Sequence, residues 1–180
     1  MTKIGIRLTG LGGQGIVLSS VILGRAASVY NHLNALQTQV YGSDMRGGDV
    51  CTEVILSDEK IVYPIVSHPD ILIAVAQKSF NQHVANIKKN GILITDSDLV
   101  SSYNIPKSVV HFKEAFNRQA TEGFGDNRVS NMIMLGFLAE KTKIISQDVL
   151  EKAIFDLMPQ KILKINKRAV QKGVILAKNH

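Results

Sequence analysis

Hydrophobic positions along the chain follow two alternating periods. Residues 4–8 form a short apolar run of strand length. In residues 16–30 the apolar positions are Ile16, Val17, Val21, Ile22, Leu23, Ala26, Ala27 and Tyr30, which predicts a helix apolar over most of its circumference and buried against a sheet. Residues 35–41 alternate polar and apolar side chains and predict a second strand. Residues 49–56 alternate with β-branched positions and predict a third, turned at Ser57-Asp58-Glu59-Lys60 into residues 61–63 as a hairpin that Pro64 ends. Pro69-Asp70 then precedes the continuous apolar run 71–76, the pattern of a central strand covered on both faces.

The alternation continues with a helix over 77–89, a buried strand over 91–95, the polar exit Asp96-Ser97-Asp98, a strand over 109–112 and a short helix over 114–121. Asp126 or Asn127 can cap a helix over 129–142, and Ser146 caps another running to 157. Pro159 separates that helix from the last one, whose stripe is Ile162, Ile165, Ala169, Gly173 and Leu176. Strands interleaved with helices predict an α/β fold of three layers, α/β/α, with a mostly parallel sheet; the helical last third packs on that sheet or reaches a partner. No repeat or linker divides the sequence, so residues 1–180 read as one domain.

Composition changes this picture by exclusion. The apolar runs are far too short to span a membrane, and the N-terminus lacks the pattern of a secretory signal, which places the protein in the cytoplasm with no membrane partner. A single cysteine, Cys51, rules out an internal disulfide, an iron–sulfur cluster held by this chain alone and a multi-cysteine zinc site. The five histidines show no metal-ligand spacing. The net charge of +6 is uneven: from Pro159 onward there is no acid, against Lys161, Lys164, Lys167, Arg168, Lys172 and Lys178. Such a face attracts nucleic acid, an acidic protein or an anionic cofactor, or is simply solvated; nucleic acid is disfavoured because no aromatic side chains are interleaved for base stacking.

Two glycine-rich stretches carry the candidate chemistry. Gly10-Leu11-Gly12-Gly13-Gln14-Gly15 lies between the first strand and the first helix, the context in which a Gly-x-Gly-x-x-Gly turn brings phosphate to a helix N-terminus. The same glycines would also serve close strand–helix packing alone. An NAD site expects an acid about 20 residues further on, and no Asp or Glu occurs from Leu11 to Ser43. The Gly-Lys-Ser/Thr ending of a nucleotide triphosphatase is missing too. Gly42-Ser43-Asp44-Met45-Arg46-Gly47-Gly48 sets a fixed positive charge in a second flexible loop. The candidate binding residues are therefore Gly10, Gly12, Gly13, Gln14, Gly15, Arg46, Gly47 and Gly48. No acid, base or nucleophile stands out, which suggests part of a larger enzyme or a stand-alone nucleotide- or CoA-binding module.

In order and spacing, Gly10–Gly15, Tyr41–Gly48, Pro69-Asp70, Asn131-Met132-Ile133-Met134-Leu135-Gly136, and Asn166, Ala169 and Gly173 resemble the gamma subunit of the 2-oxoacid:ferredoxin oxidoreductases. The family more often has Pro-Glu where this chain has Ser43-Asp44. The resemblance implies a Rossmann-like fold. It also implies a complex that oxidatively decarboxylates a 2-oxoacid, such as 2-oxoglutarate, to its acyl-CoA, using thiamine diphosphate, Mg, iron–sulfur clusters and CoA. Alpha and beta subunits, with a ferredoxin-like delta subunit, would be the partners and ferredoxin the electron acceptor. Gly125-Asp126-Asn127 is not the Gly-Asp-Gly start of a thiamine diphosphate motif, so this chain is expected to be inactive alone.

Overall fold

Strand β1 (Ile4–Leu11) runs through the middle of a six-stranded sheet with β2 (Asn34–Tyr41), β3 (Asp49–Ser57), β4 (Ile71–Ala74), β5 (Ile92–Asp96) and β6 (Val110–Glu114), in the order β2-β3-β1-β4-β5-β6. The structure is a computed structural model that describes residues 3–41 and 48–180, Val40 and Tyr41 by backbone alone. Strands β1, β4, β5 and β6 are parallel neighbours, while β3 is antiparallel to both β1 and β2. The sheet is thus mostly parallel with one antiparallel hairpin inserted, as the alternation of strand and helix predicts.

The pleat sorts the core. Ile6, Leu8, Val54, Leu56, Ile71, Ile73 and Ile94 point to one face, where they meet α1 (Ile16–Arg25), with its π-helical extension Ala26–Tyr30, and α4 (Ser130–Thr142). Leu72, Ala74 and Leu93 point to the other, covered by Phe80 of α2 (Gln77–His83), Val84 and Ile87. Helices α3 (Phe116–Phe124), α5 (Gln147–Leu157) and α6 (Gln160–Lys178) complete the first layer; Ser146 caps α5 through Val149 N–H, as its sequence position predicts. Asp126 caps a 3-10 turn, Asn127–Val129, that leads into α4.

Two expectations fail for physical reasons. Residues 61–63 form no strand with β3, because both edges of β3 are already paired, one with β1 and one with β2. Instead this segment runs irregularly and is pinned near Val66: its carbonyl accepts from Arg7, and its N–H donates to Glu53, the two side chains forming a 2.6 Å ion pair of their own. The helix expected over 77–89 stops at His83 and gives way to a 3-10 turn, Val84–Asn86, so that Lys88 N–H can bond the Pro69 carbonyl and return the chain to β5. Asp70 locks the same corner, accepting from Gly5 N–H at 2.9 Å and from Lys88 Nζ at 2.6 Å.

Helix α4 is buried at nine successive positions, Asn131 to Ala139, and α6 crosses it at backbone contact. A Cβ at Gly173 would stand 1.9 Å from the Ile133 carbonyl oxygen, and one at Gly136 would stand 2.1 Å from that of Val170. Neither backbone can yield without separating the helices. Gly173→Ala should therefore destabilise the protein by about 3 kcal/mol. In a chain of this size that lowers the thermal midpoint by roughly 6–12 °C. An unchanged midpoint in a thermal denaturation scan would show that the helices do not cross this closely.

His111 on β6 bonds Thr95 Oγ1 at 2.8 Å and packs against the Tyr103 ring. Burial, aided by the Lys113 charge, pushes its pKa down to about 4. The folded state therefore resists a proton that the unfolded chain takes up at its ordinary value. Stability from this group is complete above the unfolded pKa, near 6.5, and is lost as pH falls from there through about 4. His83, also depressed by burial, adds a loss of the same sign. The urea midpoint should drop between pH 6.5 and 5, and His111→Gln should flatten that slope; an equally steep slope in the variant would overturn the assignment.

Candidate functional site at the carboxyl ends of the strands

After β1 the chain enters α1 on one face of the sheet, and after β4 it enters α2 on the other. The carboxyl ends of these adjacent parallel strands therefore part to leave a crevice, the place where open α/β sheets bind ligands. A cleft of about 70 Å³ lies there, lined among others by Gly13, Gln14, Val75, Asp96, Asn117 and Asn131. It has room for small groups only, so a larger ligand would lie across its mouth.

The first glycine loop forms the rim, and its glycines divide by task. A Cβ at Gly10 would meet Gln14 Oε1 at 2.5 Å and Val75 at 2.8 Å; one at Gly15, where φ is +72°, would meet Asn131 Nδ2 at 2.3 Å. These two glycines serve packing. Gly13 has φ +94° with open space where a side chain would stand, so it is the glycine at which backbone meets solvent or ligand. Gln14 braces the turn, its Oε1 accepting from Leu11 N–H at 2.5 Å and its Nε2 donating to the Val75 carbonyl at 3.0 Å. Helix α1 starts at Gly15 without a side-chain cap, which leaves first-turn N–H groups directed outward beside Gly13.

Of the second loop, Arg46 and Gly47 lie outside the described residues. Gly48 is described, and its carbonyl accepts from Gly12 N–H at 3.0 Å. That bond continues the β1–β3 ladder past Leu11 and Asp49 and ties Gly48 to the first glycine loop. Asp49 at this corner pairs with Lys78 at 2.6 Å.

Sequence reading missed two side chains of the cleft. Asp96, taken as part of a polar exit, is buried at the end of β5, where Oδ2 accepts from Asn117 N–H at 2.9 Å and Oδ1 from Asp98 N–H at 3.0 Å. Burial raises its pKa, against the pull of those backbone bonds. Its work is to cap the first turn of α3. Asn131 is buried at the start of α4 and donates to the Gly15 carbonyl at 3.4 Å, while its Oδ1 finds no partner among the described residues. The signal for Asp96 was an acid closing a buried strand; for Asn131 it was a polar residue directly before the apolar run 132–135.

The topology also explains the missing ribose acid. Beside β1, where a dinucleotide fold places a parallel strand ending in that acid, this protein has the antiparallel β3, whose carboxyl end lies beside the amino end of β1, away from the crevice. Asp126 is committed elsewhere: the hydrogen bonds from Arg128 hold its carboxyl below the usual range. Cys51 sits half-buried in β3, and burial pushes its thiol up to about 11, far from a thiolate. Among the described residues no group of three potential metal ligands occurs, and no helix is long and apolar enough to cross a membrane.

Comparison with known proteins agrees with this geometry. A family model described as pyruvate ferredoxin/flavodoxin oxidoreductase matches residues 5–175. The 2-oxoglutarate synthase subunit KorC of Methanocaldococcus jannaschii is 44% identical over 174 residues, covering 96% of this chain and 93% of that one. Among solved structures, the gamma subunit of a keto/oxoacid ferredoxin oxidoreductase from Geobacter sulfurreducens is similar at a TM-score of 0.87 and 33% identity, over 98% of this chain and 99% of that one. A 2-oxoglutarate:ferredoxin oxidoreductase from Magnetococcus marinus, solved with 2-oxoglutarate, coenzyme A and succinyl-CoA bound, is similar at a TM-score of 0.86 and 25% identity, with all of this chain corresponding to 32% of a longer one. The chain belongs to the pyruvate ferredoxin/flavodoxin oxidoreductase family, as a subunit of the gamma type.

Proposed function

We propose that this chain is the gamma subunit of a thiamine diphosphate-dependent 2-oxoglutarate:ferredoxin oxidoreductase, and that residues 1–180 act as one gamma domain whose tasks are assembly and contact with CoA. The observation that carries the reading is the end-to-end correspondence with a KorC chain at 44% identity, together with that to a gamma subunit of the same extent. The residues present do not fit the electron-transfer or decarboxylation groups. Cys51 stands alone, and Asp126 is held by Arg128 where a thiamine diphosphate motif would need it for Mg. Those groups belong to alpha and beta subunits and a ferredoxin-like delta subunit, with ferredoxin as acceptor, in the cytoplasm.

Support for assembly comes from the surface. Edge strand β2 is eight residues long with no charged residue or proline to protect it. Val62 is 85% exposed and Tyr63 62%, unusual for large apolar side chains in a segment pinned down by Arg7 and Glu53. Support for CoA contact comes from the crevice. Gly13 and the uncapped first turn of α1 offer N–H groups to a phosphate, Gly10, Gly12, Gln14, Gly15 and Gly48 hold the rim in shape, and Arg46 and Gly47, which precede Gly48 in the sequence, would add a positive charge.

Tagged protein from its native host should bring down two or more sister subunits; protein that comes out alone, or as a homodimer with bound nucleotide, would instead mark a stand-alone binding module. Calorimetric titration of the assembled complex with CoA should show affinity reduced about tenfold or more by Arg46→Ala and by Gly13→Asp, the size expected for one lost charge-assisted contact. Unchanged affinity in both variants would remove CoA from the loops and leave them as packing surfaces.

A further inference from the structure

The basic last helix has no part in the crevice. Helix α6 carries six cations and no acid, and Lys161 and Lys164 on its outer side have no ion-pair partner among the described residues. Between α6 and α5 runs an open groove of about 650 Å³. Its walls include Ile154 and Leu163, and Phe155 stands at its lip with 69% of its surface exposed. Single exposed apolar residues are ordinary, but a phenylalanine beside an apolar groove with cations on its rim is a different arrangement.

The charges around the groove are unequal. Of the two acids, Glu151 is already bound, by Lys167 at 2.9 Å and by Gln147 at 2.8 Å, which leaves Asp148 against Lys152 and Lys164. Lys161 adds to the excess one turn away. The groove follows α5, eleven residues or about 16 Å of helix, and so matches about three turns of a partner helix. An apolar floor selects apolar anchors at i, i+3 and i+4 spacing, and the unpaired lysines select acids beside them. Nucleic acid fits poorly, since Phe155 alone offers a stacking surface.

We propose that the α5–α6 groove is a docking site for an acidic amphipathic helix carried by a sister subunit of the oxidoreductase, a proposal that rests on the gamma-subunit reading for the source of that helix. Phe155 is the anchor residue, and Lys161 and Lys164 hold the acidic flank. This surface shares no residue with the crevice at the first glycine loop, so it joins subunits without touching that crevice.

The test is co-expression of the tagged chain with the alpha, beta and delta subunits of its own complex, followed by affinity purification and a salt titration. Phe155→Asp, at an exposed position, should keep the thermal midpoint of the isolated chain and lower the recovery of sister subunits at least tenfold. Lys161→Glu with Lys164→Glu should make the complex fall apart at lower salt than wild type. A photo-reactive phenylalanine analogue at position 155 should cross-link to an acid-rich helical segment of a sister subunit. Full recovery with both sets of variants overturns the proposal while leaving the gamma-subunit reading intact; failure of wild-type chain to recover any sister subunit overturns both. A cross-link to a second copy of this chain, or to a segment without acids, also overturns it, as does nucleic-acid binding by the wild-type complex that Lys164→Glu abolishes.

Discussion

The contact between Gly15 and Asn131 governs how the two halves of the chain meet. Asn131 opens α4, the most deeply buried helix, and its side chain reaches the carbonyl that begins α1. No side chain larger than hydrogen fits at position 15, both because φ is +72° and because a Cβ would collide with Asn131. The start of α1 is therefore fixed against the start of α4. Since α4 is in turn clamped to α6 through Gly136 and Gly173, three helices share one rigid arrangement, and the mouth of the crevice inherits its shape from them.

This arrangement turns a familiar loop to a different use. The turn after β1 looks like that of a dinucleotide fold, and among the described residues no side chain caps the first turn of the helix that follows. The hairpin β2–β3 then takes the place beside β1 where the ribose-binding strand would stand, and Gly48, just before β3, is tied to the glycine turn by the Gly12–Gly48 bond. The glycine turn is retained, while β1 has no parallel neighbour on that side to carry a ribose-binding acid.

The sequence was most readable where one local rule sufficed. The apolar run at β1, the Ser146 cap and the glycine turn were all placed from their own neighbourhoods, and all appear where predicted. Readings failed where the outcome depended on distant residues. Residues 61–63 have strand-like side chains, but whether they pair depends on β2 having already taken the open edge of β3. Asp96 looks like any polar residue after a strand until Asn117, 21 positions later, brings its N–H to the carboxylate. The candidate loop was likewise legible as a glycine turn between strand and helix, whereas the division of its glycines between packing and exposure required Val75 and Asn131, both remote in the chain.

Surface properties complete the case that the molecule is built to be one part among several. A chain meant to work alone would be expected to protect an eight-residue edge strand and to keep Phe155, Val62 and Tyr63 under cover. Here each exposed feature is rigidly supported: the Val66 end of the 61–66 segment by Arg7 and Glu53, and Phe155 between the packed Ile154 and Asp156, which binds Arg25 and Tyr30. Rigid support lowers the entropy lost when a partner docks, because the apolar groups are already held in place before it arrives. The same economy applies at the crevice, where Gln14 fixes the turn from both sides, so the backbone there is ordered before any ligand arrives.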